Sequence, residues 1–128
     1  MTLEVRLVSP ERVLFTGQAR VVTARTLDGE LAFLTGHAPL IGALDIGLVR
    51  IGKESGDDEV AAVHGGFVEV KDDVVTILSD VAELSGQIDV GRAREAQTRA
   101  EAELRTDAAD AAAAAALARA IARISAAG

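Results

Sequence analysis

Near residue 87 the residue pattern of this 128-residue chain changes character. That change limits the fold more than any other feature of the sequence. Upstream of it, short apolar stretches are punctuated by glycine and turn residues. Leu3, Val5 and Leu7 alternate with Glu4, Arg6 and Val8, close to the period of a half-buried strand. Ser9-Pro10-Glu11-Arg12 closes that stretch, because Pro10 presets φ and donates no hydrogen bond. A second extended stretch runs from Val13 to Val22 with a bend expected at Gly17. Thr26-Leu27-Asp28-Gly29 has Asp-Gly turn chemistry. Apolar stretches follow at 31–34, 40–44 and 48–51, then at 60–63, 67–70 and 74–78. The polar segment 53–59 predicts an exposed hairpin loop, and Lys71-Asp72-Asp73 a tight turn. Gly65-Gly66 predicts a bulge or a close backbone approach. No helical crossover separates these strands, which favours a sandwich over a parallel sheet.

Downstream of residue 87, Ala, Arg and Glu take over. Asp89 is placed to cap a helix running to about Arg105, and Thr106-Asp107 to cap a second from about Ala108 to Ser125. A connection of about two residues makes the pair an antiparallel hairpin. The chain thus divides into a β-rich head, residues 1–86, and a helical tail, residues 87–128. Leu104, Leu117, Ile121 and Ile124 are the expected large anchors of the tail. The nearly all-Ala run 108–116 buries little area per residue, at roughly 25 cal/mol per Å². A weakly held, detachable hairpin is expected.

Composition removes several function classes. Half the residues are apolar, so the chain is not intrinsically disordered. The net charge of −7 opposes nucleic-acid binding, and three phenylalanines with no Trp or Tyr offer few stacking platforms. Residues 1–86 carry 14 acidic and 7 basic side chains, while residues 87–128 carry 6 of each, so partners meeting the head are expected to be basic or neutral. There is no Cys, which removes disulfides and thiol chemistry and fits a reducing compartment. The N-terminus shows no apolar signal core, and no apolar run approaches the roughly 20 residues of a membrane span. A soluble protein without direct membrane insertion is expected.

The sequence also argues against an active site. His37 and His64 are the only imidazoles, and no metalloprotease, phosphate-loop or serine-hydrolase motif is present. His37 beside Gly36, and His64 before Gly65-Gly66, read as structural loop residues. Asp57-Asp58-Glu59 and Asp72-Asp73 read as solvated turns. The arginines of the tail are more informative. Arg119 and Arg123, spaced i, i+4, share a face, and an antiparallel hairpin brings them back towards Arg92 in the first turn of the first helix. Crowded guanidinium groups repel unless an anion or carboxylates such as Asp89 and Glu83 lie between them. One reading is a solvated, salt-bridged face. The other is an anion or nucleotide-phosphate site, or a docking patch for acidic residues.

Three stretches give the chain a resemblance to the epsilon subunit of F-type ATP synthases over nearly its whole length. Gly29-Glu30-Leu31-Ala32-Phe33-Leu34-Thr35-Gly36-His37-Ala38-Pro39-Leu40 is similar to the family's Gly-Glu-x-Gly-x-Leu-Pro-Gly-His-x-Pro loop. Ala62-Val63-His64-Gly65-Gly66-Phe67-Val68-Glu69-Val70, followed by Val74-Val75-Thr76-Ile77-Leu78, is the second. Ile88-Asp89-Val90-Gly91-Arg92-Ala93 fits the Ile/Leu-Asp-x-x-Arg-Ala pattern of family members that bind ATP. In this order and spacing the three are highly specific. Departures are Ala32 for a usual Gly, Thr35 for a usual Pro, and Ile46 where Pro is common. Gly91 falls in the first helical turn, and the alanine run replaces a mixed charged sequence.

The resemblance implies a ten-stranded β-sandwich carrying a two-helix hairpin, in a non-catalytic rotor subunit that couples proton flow to ATP synthesis. It implies docking of the head on the gamma subunit and the c-ring, for which Glu30, Leu34, His37 and Pro39 are the candidates. It implies a tail that switches between a folded hairpin and an extended form reaching the alpha/beta ring, where it restrains ATP hydrolysis. No cofactor is required. ATP is the expected regulatory ligand of the folded tail, with Glu83, Asp89, Arg92, Ala93, Arg99, Arg119 and Arg123 as the responsive set. The implied location is the cytoplasmic face of the bacterial plasma membrane, as a peripheral part of F1. The alternative is an unrelated β-sandwich module with a helical tail that recognises a peptide or small ligand.

Overall fold

A computed structural model describes residues 2–128. The head is built from β1 (Leu3–Val8), β2 (Val13–Ala19), β3 (Val21–Thr26), β4 (Gly29–Phe33), β5 (Leu40–Gly52), β6 (Glu59–Lys71), β7 (Val74–Leu78) and β8 (Ala82–Leu84). They are ordered β2-β1-β7-β6-β5-β3-β4, with β8 pairing β6. The β1–β7 pair is parallel and the other pairs are antiparallel. Side chains from distant strands share one core, including Leu3, Val5 and Leu7 of β1, Phe33 of β4 and Val49 and Ile51 of β5. A flat sheet could not bring those residues together, so the ladder folds over itself into the expected sandwich.

Two strands are longer than expected. The stretches at 40–44 and 48–51 merge into β5, and those at 60–63 and 67–70 merge into β6. This leaves eight strands among the described residues, or ten if the halves of β5 and β6 are counted separately. The two strands turn over along their length. In β6 the core residues are Ala61 and Val63 before Gly65-Gly66 but Val68 and Val70 after it. In β5 the core residue is Leu44 before the crossing and Val49 and Ile51 after it. A regular strand keeps one parity per face, so the inward set changes parity at the glycines. The register runs from Leu44–Gly66 to Ile46–His64 without a shift, so the glycine pair is a close approach and not a bulge. Gly65 and Gly66 have φ of 87° and 112°. A Cβ on Gly66 would collide with the Leu78 carbonyl oxygen and lie 2.9 Å from Ser79 Cα.

The β6–β7 turn is the tight one expected. Asp72 and Asp73 both have positive φ, 51° and 60°, as a two-residue type I′ hairpin requires. Asp73 also ties down the 34–39 loop, because its Oδ1 accepts from the Gly36 N–H at 2.7 Å.

A 3-10 turn, Ser85–Gln87, leads into the tail, which consists of α1 (Val90–Thr106) and α2 (Ala111–Ala127). Asp89 caps α1, accepting from the Arg92 N–H at 3.1 Å. The cap of α2 is Asp110, which accepts from the Ala113 N–H at 3.0 Å. Thr106-Asp107 does not cap it; Asp107 holds the intervening turn through the Ala109 N–H. The connection is therefore 107–110, and α2 begins three residues later than expected. The anchors differ as well. The buried residues of the tail are Ala93 and Ala100 on α1 and Ala113, Ala120, Ala122 and Ala126 on α2. Leu104, Leu117 and Ile124 are half-buried and Ile121 is exposed. Alanine lets backbones approach closely, so it occupies the contact lines while the larger residues flank them.

Candidate functional site at the seam between head and tail

Where β5 and β6 have turned over, both their faces are covered. Val49, Ile51, Ala61 and Val63 face the sandwich core. Ile46, Leu48, Val60 and Ala62 lie on the opposite face, against Ala122 and Ala126 of α2 and Ile88. This double burial explains the unbroken apolar run 60–63, which has no strand alternation. Ala113 and Ala120 lie on the other side of α2 from Ala122 and Ala126. With α1 packed on α2, the second helix of the tail is the inner one.

The polar edge of this seam holds the candidate site. Glu83 on β8, paired with Ala62, reaches the tail, and Arg123 Nε donates to its Oε1 at 2.5 Å. Asp89 and Arg92 stand beside this pair at the start of α1. Together with Ala93 and Ala96 they line a cleft of about 210 Å³. Of the residues named from the sequence, Glu83, Asp89, Arg92, Ala93 and Arg123 come together here. Arg119, half-buried one turn before Arg123, and Arg99, exposed on α1, do not line it.

His64 is the residue that sequence reading missed. It is not in a loop but within β6, directly opposite Ile46, on the face that α2 covers. Its side chain is 3% exposed. Nε2 lies 3.5 Å from Glu83 Oε1, but neither ring nitrogen makes a hydrogen bond. Burial, and next the Arg123 guanidinium, hold the imidazole below its ordinary value of 6.5; Glu83 pulls the other way and Arg119 adds a smaller lowering. The available signal was a single imidazole closing the otherwise apolar run 60–63. Ala96 was also missed, although it sits one turn beyond Arg92.

The docking candidates occupy two places. Glu30 lines a second cleft of about 460 Å³ on the far side of α2, with the Arg25–Asp45 pair (3.5 Å) and Ile121. Leu34, His37 and Pro39 stand on the 34–39 loop. There His37 packs edge-on against Phe33 at 5.2 Å, and its Nδ1 lies 2.6 Å from the Ala38 carbonyl oxygen.

The outer face of the sheet carries a further feature. Val13, Val8, Leu78, Phe67 and Ala43 are register partners on five strand segments, and partners in register share a face. Phe67 is 59% exposed, Val13 58% and Leu78 46%, and Ile41 one step along is 74% exposed. Val8 and Ala43 are half-buried between them, and exposed large apolar side chains clustered on one face are the mark of an interaction surface.

The family model of the ATP synthase delta/epsilon chain β-sandwich domain matches residues 2–85, and that of its long α-helix domain matches residues 87–128. The chain belongs to the ATP synthase delta/epsilon family. Among curated relatives, the ATP synthase epsilon chain of Brevibacillus brevis is 53% identical over 105 residues, covering 81% of this chain and 77% of the relative. That of Streptomyces griseus is 42% identical over 111 residues, covering 87% and 86%. A chain in the cryo-EM structure of the Euglena gracilis mitochondrial ATP synthase, described as OSCP/F1/c-ring, superposes with a TM-score of 0.80. It is 25% identical and covers 91% of this chain and 76% of its own length. A chain of the Tetrahymena thermophila central stalk/c-ring shares the fold at a TM-score of 0.57. Family membership sets aside the alternative of an unrelated binding module. The subunit type is epsilon, a stalk component and not the catalytic one. Among the described residues no helix is long and apolar enough to cross a membrane.

Proposed function

We propose that the chain is a rotor subunit of a proton-translocating F-type ATP synthase whose tail responds to ATP and restrains hydrolysis. The observation that carries the regulatory part is the clasp across the seam. Glu83 of the head holds Arg123 of the tail, beside Arg92 in a common cleft. Glu83 and Asp89 formally balance Arg92 and Arg123 in the cleft, so a phosphate is drawn by the guanidinium N–H donors that those carboxylates leave free and not by a net charge. The cleft, about 210 Å³, is smaller than the roughly 300–1,000 Å³ of sites that enclose a drug-sized ligand. Phosphate groups therefore enter between Arg92 and Arg123, and the nucleoside lies across the open rim near Asp89. A ligand bridging α1 and α2 exists as a site only in the folded hairpin, so it favours that form by its differential affinity.

Docking is assigned to the head. The row formed by Val13, Val8, Leu78, Phe67 and Ala43 meets the gamma subunit, and the 34–39 loop with Leu34, His37 and Pro39 meets the c-ring. The protein is then held at the cytoplasmic face of the bacterial plasma membrane by its partners and not by lipid. The extended tail reaches the alpha/beta ring.

Isothermal titration of the full chain with ATP tests the site. Binding is expected, weakened at least tenfold by Arg92→Ala or Arg123→Ala, in line with roughly 1.5–3 kcal/mol per charge-assisted hydrogen bond. Absence of binding at millimolar ATP sinks the nucleotide reading while leaving the stalk assignment intact.

A further inference from the structure

His64 has no part in the function proposed above, yet its position is unusual. A side chain only 3% exposed, with both ring nitrogens lacking a partner, leaves polar atoms unsatisfied. It sits on the seam. The charged groups facing it are Glu83 from β8 and Arg123 and Arg119 from α2. Its cross-strand neighbour on β5 is the apolar Ile46, and the 3-10 turn Ser85–Gln87 contributes no charge. Glu83 Oε1 lies 3.5 Å from His64 Nε2 and 2.5 Å from Arg123 Nε, so the carboxylate oxygen that holds Arg123 is also the one nearest the ring.

We propose that His64 is a proton-triggered release for the tail. Protonating its ring puts a third cation beside Arg119 and Arg123 with only Glu83 to balance them, and the hairpin leaves the head. The device rests on the seam geometry and needs no nucleotide.

The sign follows from linkage. With the tail undocked, His64 is open to water and titrates near its ordinary 6.5. With the tail docked, burial and Arg123 hold it lower. The docked state therefore binds fewer protons. Docking has its full strength above about pH 6.5 and weakens below it, by up to about tenfold per pH unit, until the docked His64 is itself protonated.

Nuclear magnetic resonance of the full chain without nucleotide tests this. The ring signals of His64 and His37 are followed with pH, together with methyl contacts between Ala62 of the head and Ala122 of α2. The expected result is a His64 midpoint below 6.5, with the Ala62–Ala122 contact fading as His64 protonates. His64→Gln is expected to keep the contact from pH ~7.5 to ~5, below which protonation of carboxylates affects both proteins. Arg123→Gln removes one cation and is expected to raise the His64 midpoint. A His64 midpoint at or above 6.5, a contact that survives His64 protonation, or a His64→Gln protein that follows the wild-type pH profile would overturn the proposal. If His64→Gln fails to dock at any pH, the wild-type titration decides: coincidence of ring protonation and contact loss supports the proposal, and separation of the two sinks it.

Discussion

Arg123 of α2 and Glu83 of β8, 40 residues apart in sequence, form an ion pair at 2.5 Å. Among the described residues it is the one ion pair that joins the tail to the head. Both side chains are about 28–29% exposed. They are therefore less screened than a surface pair, worth up to about 1 kcal/mol, and less costly to disrupt than a fully buried pair, at about 3–5 kcal/mol.

Breaking this pair is expected to loosen the tail and leave the head unchanged. Arg123→Gln or Glu83→Gln should lower protection of α2 amides from hydrogen exchange by about ten- to thirtyfold, equivalent to ~1–2 kcal/mol. The double variant should cost less than the two single variants added together, because the partners act as a unit. Additive effects would mean that the pair contributes nothing to docking.

Gly66 and Gly56 both have positive φ, but their surroundings differ. A Cβ at Gly56 meets nothing within 4 Å, whereas one at Gly66 strikes the Leu78 carbonyl. Gly56→Ala should cost about 1 kcal/mol, the backbone strain alone. Gly66→Ala should cost at least ~3 kcal/mol, because β6 must separate from the 78–79 segment. Urea unfolding of the two variants measures the difference.

The alanine contact lines leave no room for growth. Ala122→Leu adds volume against the fully buried Ala62 and should cost about 1–3 kcal/mol. Ala112 is exposed, and Ala112→Leu should stay within about 0.5 kcal/mol of wild type. Hydrogen exchange of α2 amides again separates the two, with head amides as the internal control.

Phe67→Ser should leave the isolated chain folded, since the ring is 59% exposed. It should weaken association with the gamma subunit by roughly tenfold or more, as expected for an aromatic anchor. A pull-down with purified gamma subunit, at several concentrations, checks it. Retained affinity would remove the apolar row from the interface.

Deleting residues 87–128 should raise ATP hydrolysis by the assembled enzyme while leaving assembly intact. It also exposes Ile46, Leu48, Val60 and Ala62, so the isolated head should lose solubility. Unchanged hydrolysis would show that this tail is not a brake.

Much of the architecture was legible because it is local. The Asp72-Asp73 turn, the Asp89 cap and the hairpin depend on residues a few positions apart. The cap of α2 was misplaced because Asp107 and Asp110 offer the same chemistry three residues apart, and only the path of the turn selects between them. The tail anchors were misjudged because size predicts area buried, while close helix approach favours the smallest side chain. Glu83, Asp89, Arg92, Ala93 and Arg123 were named from the sequence through family motifs and the antiparallel reach of a hairpin. The outward position of Arg99 could not be read that way.

By itself the sequence determined the two building styles of this protein, strand periodicity before residue 87 and helix periodicity after it, because period is a property of neighbouring residues. Tertiary structure alone decided the reversal of β5 and β6 at Gly65-Gly66, since either face of a strand can be the inner one until a second layer covers it. The same holds for His64. A strand residue before two glycines became a buried, unpartnered imidazole only when α2 closed over it and brought Arg119 and Arg123 to its side.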